Sequence, residues 1–195
     1  EKLRVARLTG KRIMKMVEED LTADKILTKK ALENALAVDM AIGGSTNVAL
    51  HLPALAHELS IEFPLSVFND FNKRIPTICR LSPSGPHGVT DLYQAGGIPA
   101  LMKQIADDLH HDSLSVSGKT IGDIIENAVI EDEDVIPPRT DPYYPEGGTV
   151  VLTGNLAPEG AVIKQSAVAK DQHVFTGPAH VFESEHDFLA AIRQA

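Results

Sequence analysis

The sequence predicts an α/β chain in two unequal parts, mainly helical first and mainly β afterwards. Three observations carry this. From Leu3 to Ala128, segment after segment places apolar residues at helical spacing. From Thr149 onward the apolar residues fall in short runs separated by Gly, Pro and Asn, which is the texture of short strands. Between the two, residues 131–148 break the composition with four consecutive acids, then four prolines and two glycines. That stretch reads as a linker, giving a first unit over 1–130 and a second over 149–195.

Residues 3–19 read as an amphipathic helix, with Leu3, Leu8, Ile13, Met16 and Val17 spaced among Lys and Arg. The pattern is already running at the first residues with no cap ahead of it, so more protein is expected upstream. Thr28 can cap a second helix whose apolar positions are Ala31, Leu32, Ala35, Leu36, Val38 and Met40. It runs into Gly43-Gly44. A third helix carries Val48, Leu50, Leu52, Leu55 and Leu59. If its cap is Ser45, Pro53 falls inside it, which implies a kink or a later start. This helix is apolar nearly all round as far as His57-Glu58, so it is expected to be buried.

Ser66 opens a short helix that ends near Lys73. Ile75 to Leu81 reads as a short strand that stops at the Ser82–Pro86 loop. Asp91–Ala95 and Ile98–Leu109 read as helices separated by Gly96-Gly97, with Pro99 tolerated in a first turn. Ser117-Gly118 make a turn before a helix from Ile121 to Ala128. In the second unit, Thr149–Thr153, Ala161–Ser166, His173–Phe175 and Ala179–Phe182 read as strands. Ser184 caps a last helix with Phe188, Leu189 and Ile192 inward. Four short strands and one helix make a thin core, so this unit is expected to need neighbours.

With 195 residues, 43% hydrophobic and 23% charged, the chain can bury a core. A net charge of −9 argues against a nucleic-acid or anionic-membrane surface, since both require a basic face. No run of about 18 apolar residues suggests a membrane span. The first residues carry no apolar signal-peptide core. The single cysteine, Cys79, has no internal disulfide partner and suits a reducing cytoplasm. One cysteine also cannot hold an iron–sulfur cluster alone.

The stretch richest in chemistry is the corner Gly43-Gly-Ser-Thr-Asn47. Ser45, Thr46 and Asn47 are short polar residues at the start of a helix, where side-chain oxygens accept the first unpaired N–H groups. A helix start also favours a carboxylate or phosphate. The corner therefore reads either as a capped turn or as a ligand-facing loop. The other motifs point to structure. None of the eight histidines has metal-ligand spacing. Cys79 has no nucleophile signature around it. Ser84 beside His87 reads as a turn serine near a loop histidine. Val116–Thr120 mimics part of a phosphate-binding loop, but Ser113 stands where its first glycine would be required. The acidic run 131–134 lacks the ligand spacing of a calcium loop.

Taken together, several long motifs resemble the dihydroxy-acid dehydratase and phosphogluconate dehydratase family. They are Ala41-Ile-Gly-Gly-Ser-Thr-Asn-Val-Ala-Leu-His-Leu52 with the upstream Gly10-Lys-Arg-Ile13, and Pro76-Thr-Ile-Cys-Arg-Leu-Ser-Pro-Ser84. Asp91–Met102, Gly147–Pro158, Ala161–Val168 and Phe175–Ala179 follow in the family's order. The likeness covers essentially the whole chain, and the short linker and Pro178–Ser184 look most like dihydroxy-acid dehydratases. The resemblance implies the back part of an N-terminal α/β domain, a linker, and the first part of a C-terminal swivelling β-barrel-like domain.

It also implies a hydro-lyase that converts 2,3-dihydroxy acids to 2-keto acids in branched-chain amino-acid synthesis, acting as a cytoplasmic homodimer with an iron–sulfur cluster and Mg²⁺. A sugar-acid dehydratase of the phosphogluconate type and a non-catalytic scaffold derived from the family are the alternatives. The family's Cys-Asp-Lys and Thr-Asp-Gly-Arg-x-Ser signatures are not in this sequence. So the chain alone is expected to bind neither cluster nor Mg²⁺, to contain no catalytic or metal-binding residue, and to be inactive: an internal fragment. The residues expected to face substrate are Gly44, Ser45, Thr46 and Asn47.

Overall fold

A computed structural model describes residues 2–193. The helices are α1 (Lys2–Glu18), α2 (Ala23–Ile26), α3 (Lys29–Ile42), α4 (Val48–Glu58), α5 (Ser66–Arg74), α6 (Val89–Gln94), α7 (Gly97–Gln104), α8 (Ile121–Glu126) and α9 (Glu185–Ile192). The strands are β1 (Val150–Leu152) and β2 (Ala161–Ile163). The described residues are thus mainly helical with one small antiparallel sheet, in which Val151 faces Val162.

Helix α3 is the centre. Leu32, Leu36 and Met40 fall one turn apart on a single face and are completely or almost completely buried. That face packs against α4, α5 and α7, and each such side chain adds about 1.5–3 kcal/mol by leaving water. Thr28 caps the helix as expected, its hydroxyl accepting the Ala31 N–H at 3.3 Å. The helix stops at Gly43, which adopts φ +62°. Gly44 N–H returns to Asp39 O at 2.9 Å and Gly43 N–H to Met40 O at 3.3 Å. This paired closure is the Schellman ending that glycine permits. At α8, Thr120 and Asp123 form the reciprocal capping box.

Asparagines tie the elements together. The Asn69 amide donates to Val151 O and accepts from Val151 N–H, at 2.9 and 2.8 Å, and so occupies the free edge of β1. Asn72, buried on α5, donates to Gly147 O and Thr149 O at 2.8 and 2.9 Å. Asn34 pairs in the same two-way manner with the backbone of His110. Residues 131–148 pack against the helices: Val135 and Ile136 are buried, and Gly148 N–H donates to Met40 O at 3.2 Å.

Several expectations are corrected. Ile75–Leu81 is extended but forms no strand. Its N–H groups go to a helix end and a loop: Ile78 to Ala41 O at 2.7 Å, and Thr77 to Tyr144 O and Glu146 O. The backbone needs are met without a ladder. His173–Phe175 and Ala179–Phe182 are not strands either. Val174, Phe175 and Val181 are exposed, and a strand pattern without a neighbour to pair with fixes nothing. The segment instead stacks His180 on Phe182, with Phe182 edge-on to Phe188. Ser184 does cap α9, but Phe188, Leu189 and Ile192 remain partly exposed rather than inward. The helix expected over 98–109 ends at Gln104 and continues as the short 3₁₀ turn Ala106–Asp108. Helix α4 is not buried all round, since only Leu52 and Ala56 are covered while Leu50 is 68% exposed.

Helix α1 forms as expected yet buries none of its residues. Arg12 fastens it, donating from Nε to Val116 O at 2.7 Å and pairing with Glu19. No helix among the described residues is long and apolar enough to cross a membrane.

Candidate functional site: the corner between α3 and α4

The Schellman ending of α3 delivers the chain into Gly44-Ser-Thr-Asn47 at a fixed angle. Asp39, on the inward side of α3, then holds the corner from beneath. Its Oδ1 accepts the Ser45 N–H at 3.1 Å. Gly44 passes so close that a side chain there would overlap the Asp39 carboxylate. This is why the second glycine is required as well as the first.

The start of α4 differs from the sequence reading. Asn47 is its N-cap residue, but in helical conformation and with no side-chain cap bond. The first N–H groups are taken by backbone carbonyls instead: Val48 by Ser45 O at 3.0 Å, Ala49 by Thr46 O at 3.1 Å and Leu50 by Asn47 O at 3.0 Å. The Ser45 hydroxyl accepts the Asn47 N–H at 3.2 Å. The helix therefore begins three residues after Ser45, and Pro53 still lies within it. Among the described residues only Thr46 keeps a corner N–H without a partner. An anion cradled by the helix start would find its donors already used.

The corner opens on a cavity of about 410 Å³, within the range of small-molecule sites. Gly44, Ser45 and Thr46 line it together with Ser82, Val89 and, from just beyond β2, Lys164. Asn47 is not among the lining residues. Three other concavities have similar volumes, so size does not single this one out; its chemistry does. It joins the Ser45 and Thr46 hydroxyls, a glycine backbone and a lysine to apolar walls.

Asp39 supplies the electrostatics beneath. Its residue is 7% exposed and its Oδ2 is buried with no hydrogen-bond partner. Burial pushes its carboxyl up to about 6, while the Ser45 N–H and the positive charge of Lys164 pull the other way. Sequence reasoning missed Asp39 and Lys164. The available signal for Asp39 was an acid on the buried side of α3, beside Met40 and one turn beyond Leu36.

The other candidates stay apart from the corner. Cys79 is buried, and burial pushes its thiol up to about 12, so it is not a ready thiolate. The Ser84 hydroxyl is buried with no hydrogen-bond partner, and His87 faces Asp134 at 4.0 Å. His110 meets Glu33 at 2.6 Å. Among the described residues no three His, Cys, Asp or Glu side chains gather as a metal would need. The donor set here fits neither an iron–sulfur cluster nor a Mg²⁺ site.

Comparison with known proteins gives a consistent answer. The model for the dihydroxy-acid/6-phosphogluconate dehydratase N-terminal domain matches residues 1–124, and that for the C-terminal domain matches 134–195. A dihydroxy-acid dehydratase of Ignicoccus hospitalis is 54% identical over 190 residues, 96% of this chain and 34% of that protein. One from Acetivibrio thermocellus is 50% identical over 194 residues, and one from Pyrococcus furiosus 49% over 193, each alignment covering 98% of this chain and 35% of the relative. The chain thus spans about a third of the length of the curated relatives it matches.

Proposed function

Since the chain belongs to the dihydroxy-acid/6-phosphogluconate dehydratase family, we propose that it is the middle section of a hydro-lyase that dehydrates 2,3-dihydroxy acids to 2-keto acids. The observation that carries this reading is near-half identity, over almost all of the chain, to several proteins named dihydroxy-acid dehydratase. In the net reaction the C3 hydroxyl and the C2 proton leave as water, and the enol that forms tautomerises to the ketone. Branched-chain amino-acid synthesis is the pathway such a product serves.

In the whole protein the corner forms one wall of the substrate cleft through Gly44, Ser45 and Thr46. Its part is to bind and orient. The glycine backbone allows close approach, and the Ser45 and Thr46 hydroxyls match the hydroxyls of the substrate. Residues 149–195 begin the β-rich swivelling domain. The iron–sulfur cluster and Mg²⁺ are supplied by parts of the whole protein that these 195 residues do not include, so the chain alone is inactive. The whole protein works as a cytoplasmic homodimer.

The test is a dehydration assay of the whole protein on a branched 2,3-dihydroxy acid and on 6-phosphogluconate, in parallel with the 195-residue chain. Preference for the branched acid, with no turnover by the chain alone, is the expected outcome. Preference for 6-phosphogluconate moves the reading to the sugar-acid branch. No turnover of either substrate by the whole protein leaves a non-catalytic scaffold.

A further inference from the structure

We propose that the outer face of α1 is one side of a two-helix seam, and that the other side is an acidic amphipathic helix of the same polypeptide, from the part of the whole protein outside these 195 residues. The proposal rests on the chain being a section of a longer protein. It does not depend on the reaction that protein catalyses.

The 17 residues of α1 are helical and none of them is buried. A helix of this length is marginal in water by itself, because most helical stability comes from packing an apolar face. Arg12 and Met16, its half-buried positions, mark the side that meets the rest of the chain, and Arg12 donates to Val116 O at 2.7 Å. A different side carries Leu3, Ala6, Gly10, Ile13 and Val17, spaced alternately three and four residues apart. That is the spacing of a stripe that faces another helix. All five are exposed, Leu3 by 89% and Val17 by 70%, and Met14 beside them is exposed as well.

Gly10 points to how close the second helix comes. A glycine inside a helix is less favourable than an alanine. Nothing around α1 accounts for it here, since a Cβ built on Gly10 would meet nothing within 4 Å. A second helix crossing at Ala6 and Gly10 does account for it, because the distance between two helix axes is set by the side chains at the crossing.

Charge names the partner. Between Lys2 and Glu18 six cations stand against one acid, in a chain whose net charge is −9. Arg7, Lys11 and Lys15, four residues apart, form an exposed ridge along one flank of the apolar stripe. Charges that flank a helical seam select the helix that pairs with it. A second copy pairing through the same face would bring two strongly basic helices together, so the complement is a helix with Asp and Glu beside its own apolar stripe. This chain spans 34% and 35% of the length of two relatives. A polypeptide of that length has ample chain to supply the helix.

The test uses the whole protein with a photo-crosslinking benzoylphenylalanine in place of Met14, beside the stripe, or of Leu8, on the opposite side of α1. Irradiation is expected to link position 14 to an acidic amphipathic helix of the same polypeptide, with a product of monomer mass, and position 8 is expected to give no such product. A product of doubled mass makes the occupant a second copy and overturns the proposal. A link to a segment that is not acidic or not helical overturns it too, and equal results at the two positions show that the face stays open to solvent. Gly10→Leu supplies a second readout. It should leave the thermal midpoint of the 195-residue chain unchanged or higher, and lower that of the whole protein by roughly 4 °C or more. An unchanged midpoint in the whole protein overturns the close crossing at Gly10. If that variant fails to fold in the whole protein, the cross-links still decide.

Discussion

Gly148 lies backbone to backbone against Gly43. A Cβ built on Gly148 would stand 2.6 Å from Gly43 Cα. The two glycines serve different needs. Gly43 must turn through φ +62° to end α3, whereas Gly148 must have no side chain so that the entry to β1 can press onto that ending. Gly148 N–H bonds to Met40 O, and Gly148 O accepts from Ser166 N–H. The last turn of α3, the entry to β1 and the segment after β2 are thereby joined at one point, directly behind the candidate site.

Gly148→Ala forces two backbones apart, and relief by side-chain rotation is not possible. Overpacking of this kind costs about 1–3 kcal/mol, or more where backbone must move. The control is Gly154→Ala, whose new methyl group would meet nothing within 4 Å. Urea unfolding should show a clear loss of stability for the first and a change within about 0.5 kcal/mol for the second. Equal stability of the two variants would show that the seam is not tightly closed.

Asn72 offers a second test of the same seam. Its amide serves Gly147 O and Thr149 O, and also reaches Gln165 Oε1 at 3.3 Å. Asn72→Ala leaves buried carbonyls without a donor, at about 1–3 kcal/mol for each group so exposed. Asn127→Ala removes an exposed amide bonded to Asp123 O within one helix, and should cost far less. Hydrogen exchange adds a local readout. The Gly147 amide, bonded to Asn72 O, should lose protection in Asn72→Ala and keep it in Asn127→Ala.

These tests concern features that the sequence shows unevenly. Helix α3 was legible from Thr28 to Gly43, because its cap, its apolar face and its stop are all local. The Ser184 cap of α9 was legible for the same reason. Asn34, Asn69 and Asn72 were not legible, because each partner lies some 75 residues or more away in sequence and an asparagine on a helix names no partner. The strands expected at 173–175 and 179–182 failed for a related reason: propensity specifies a backbone shape but not a neighbour to pair with. At the corner, the glycines were legible as the break between two helices, but the side-chain cap expected there does not form. What holds the turn, Asp39, and what charges the cavity, Lys164, come from other faces of the fold.

Cys79 should be silent in the native state. Its side chain is almost fully buried, and the thiol pushed up to about 12 leaves essentially no thiolate at pH 8. A disulfide-exchange reagent should label the chain only as fast as it opens, and promptly in denaturant. Prompt labelling without denaturant would mean that the segment Ile75–Leu81 opens from the core.

Asp39 makes stability depend on pH in a direction opposite to that of a salt-bridged acid. Burial raises its carboxyl to about 6 in the folded chain, against the usual value of 3.8. Between about pH 4 and 6 the folded state therefore binds more protons than the unfolded state, and stability falls as pH rises. A difference of about 2 pKa units corresponds to a destabilisation on the order of 3 kcal/mol, absent below pH 4 and fully present above pH 6. Asp39→Asn keeps an oxygen for the Ser45 N–H while removing the charge. Its stability should decline less between pH 4 and 7 than that of the unmodified chain, by roughly that amount, when both are unfolded in urea at intervals of one pH unit. Asp39→Ala, which strips Ser45 of its acceptor, should be less stable than Asp39→Asn at every pH. Parallel pH profiles for Asp39→Asn and the unmodified chain would mean that the carboxylate beneath the corner titrates as it does in water, and the corner would then not rest on a buried charge.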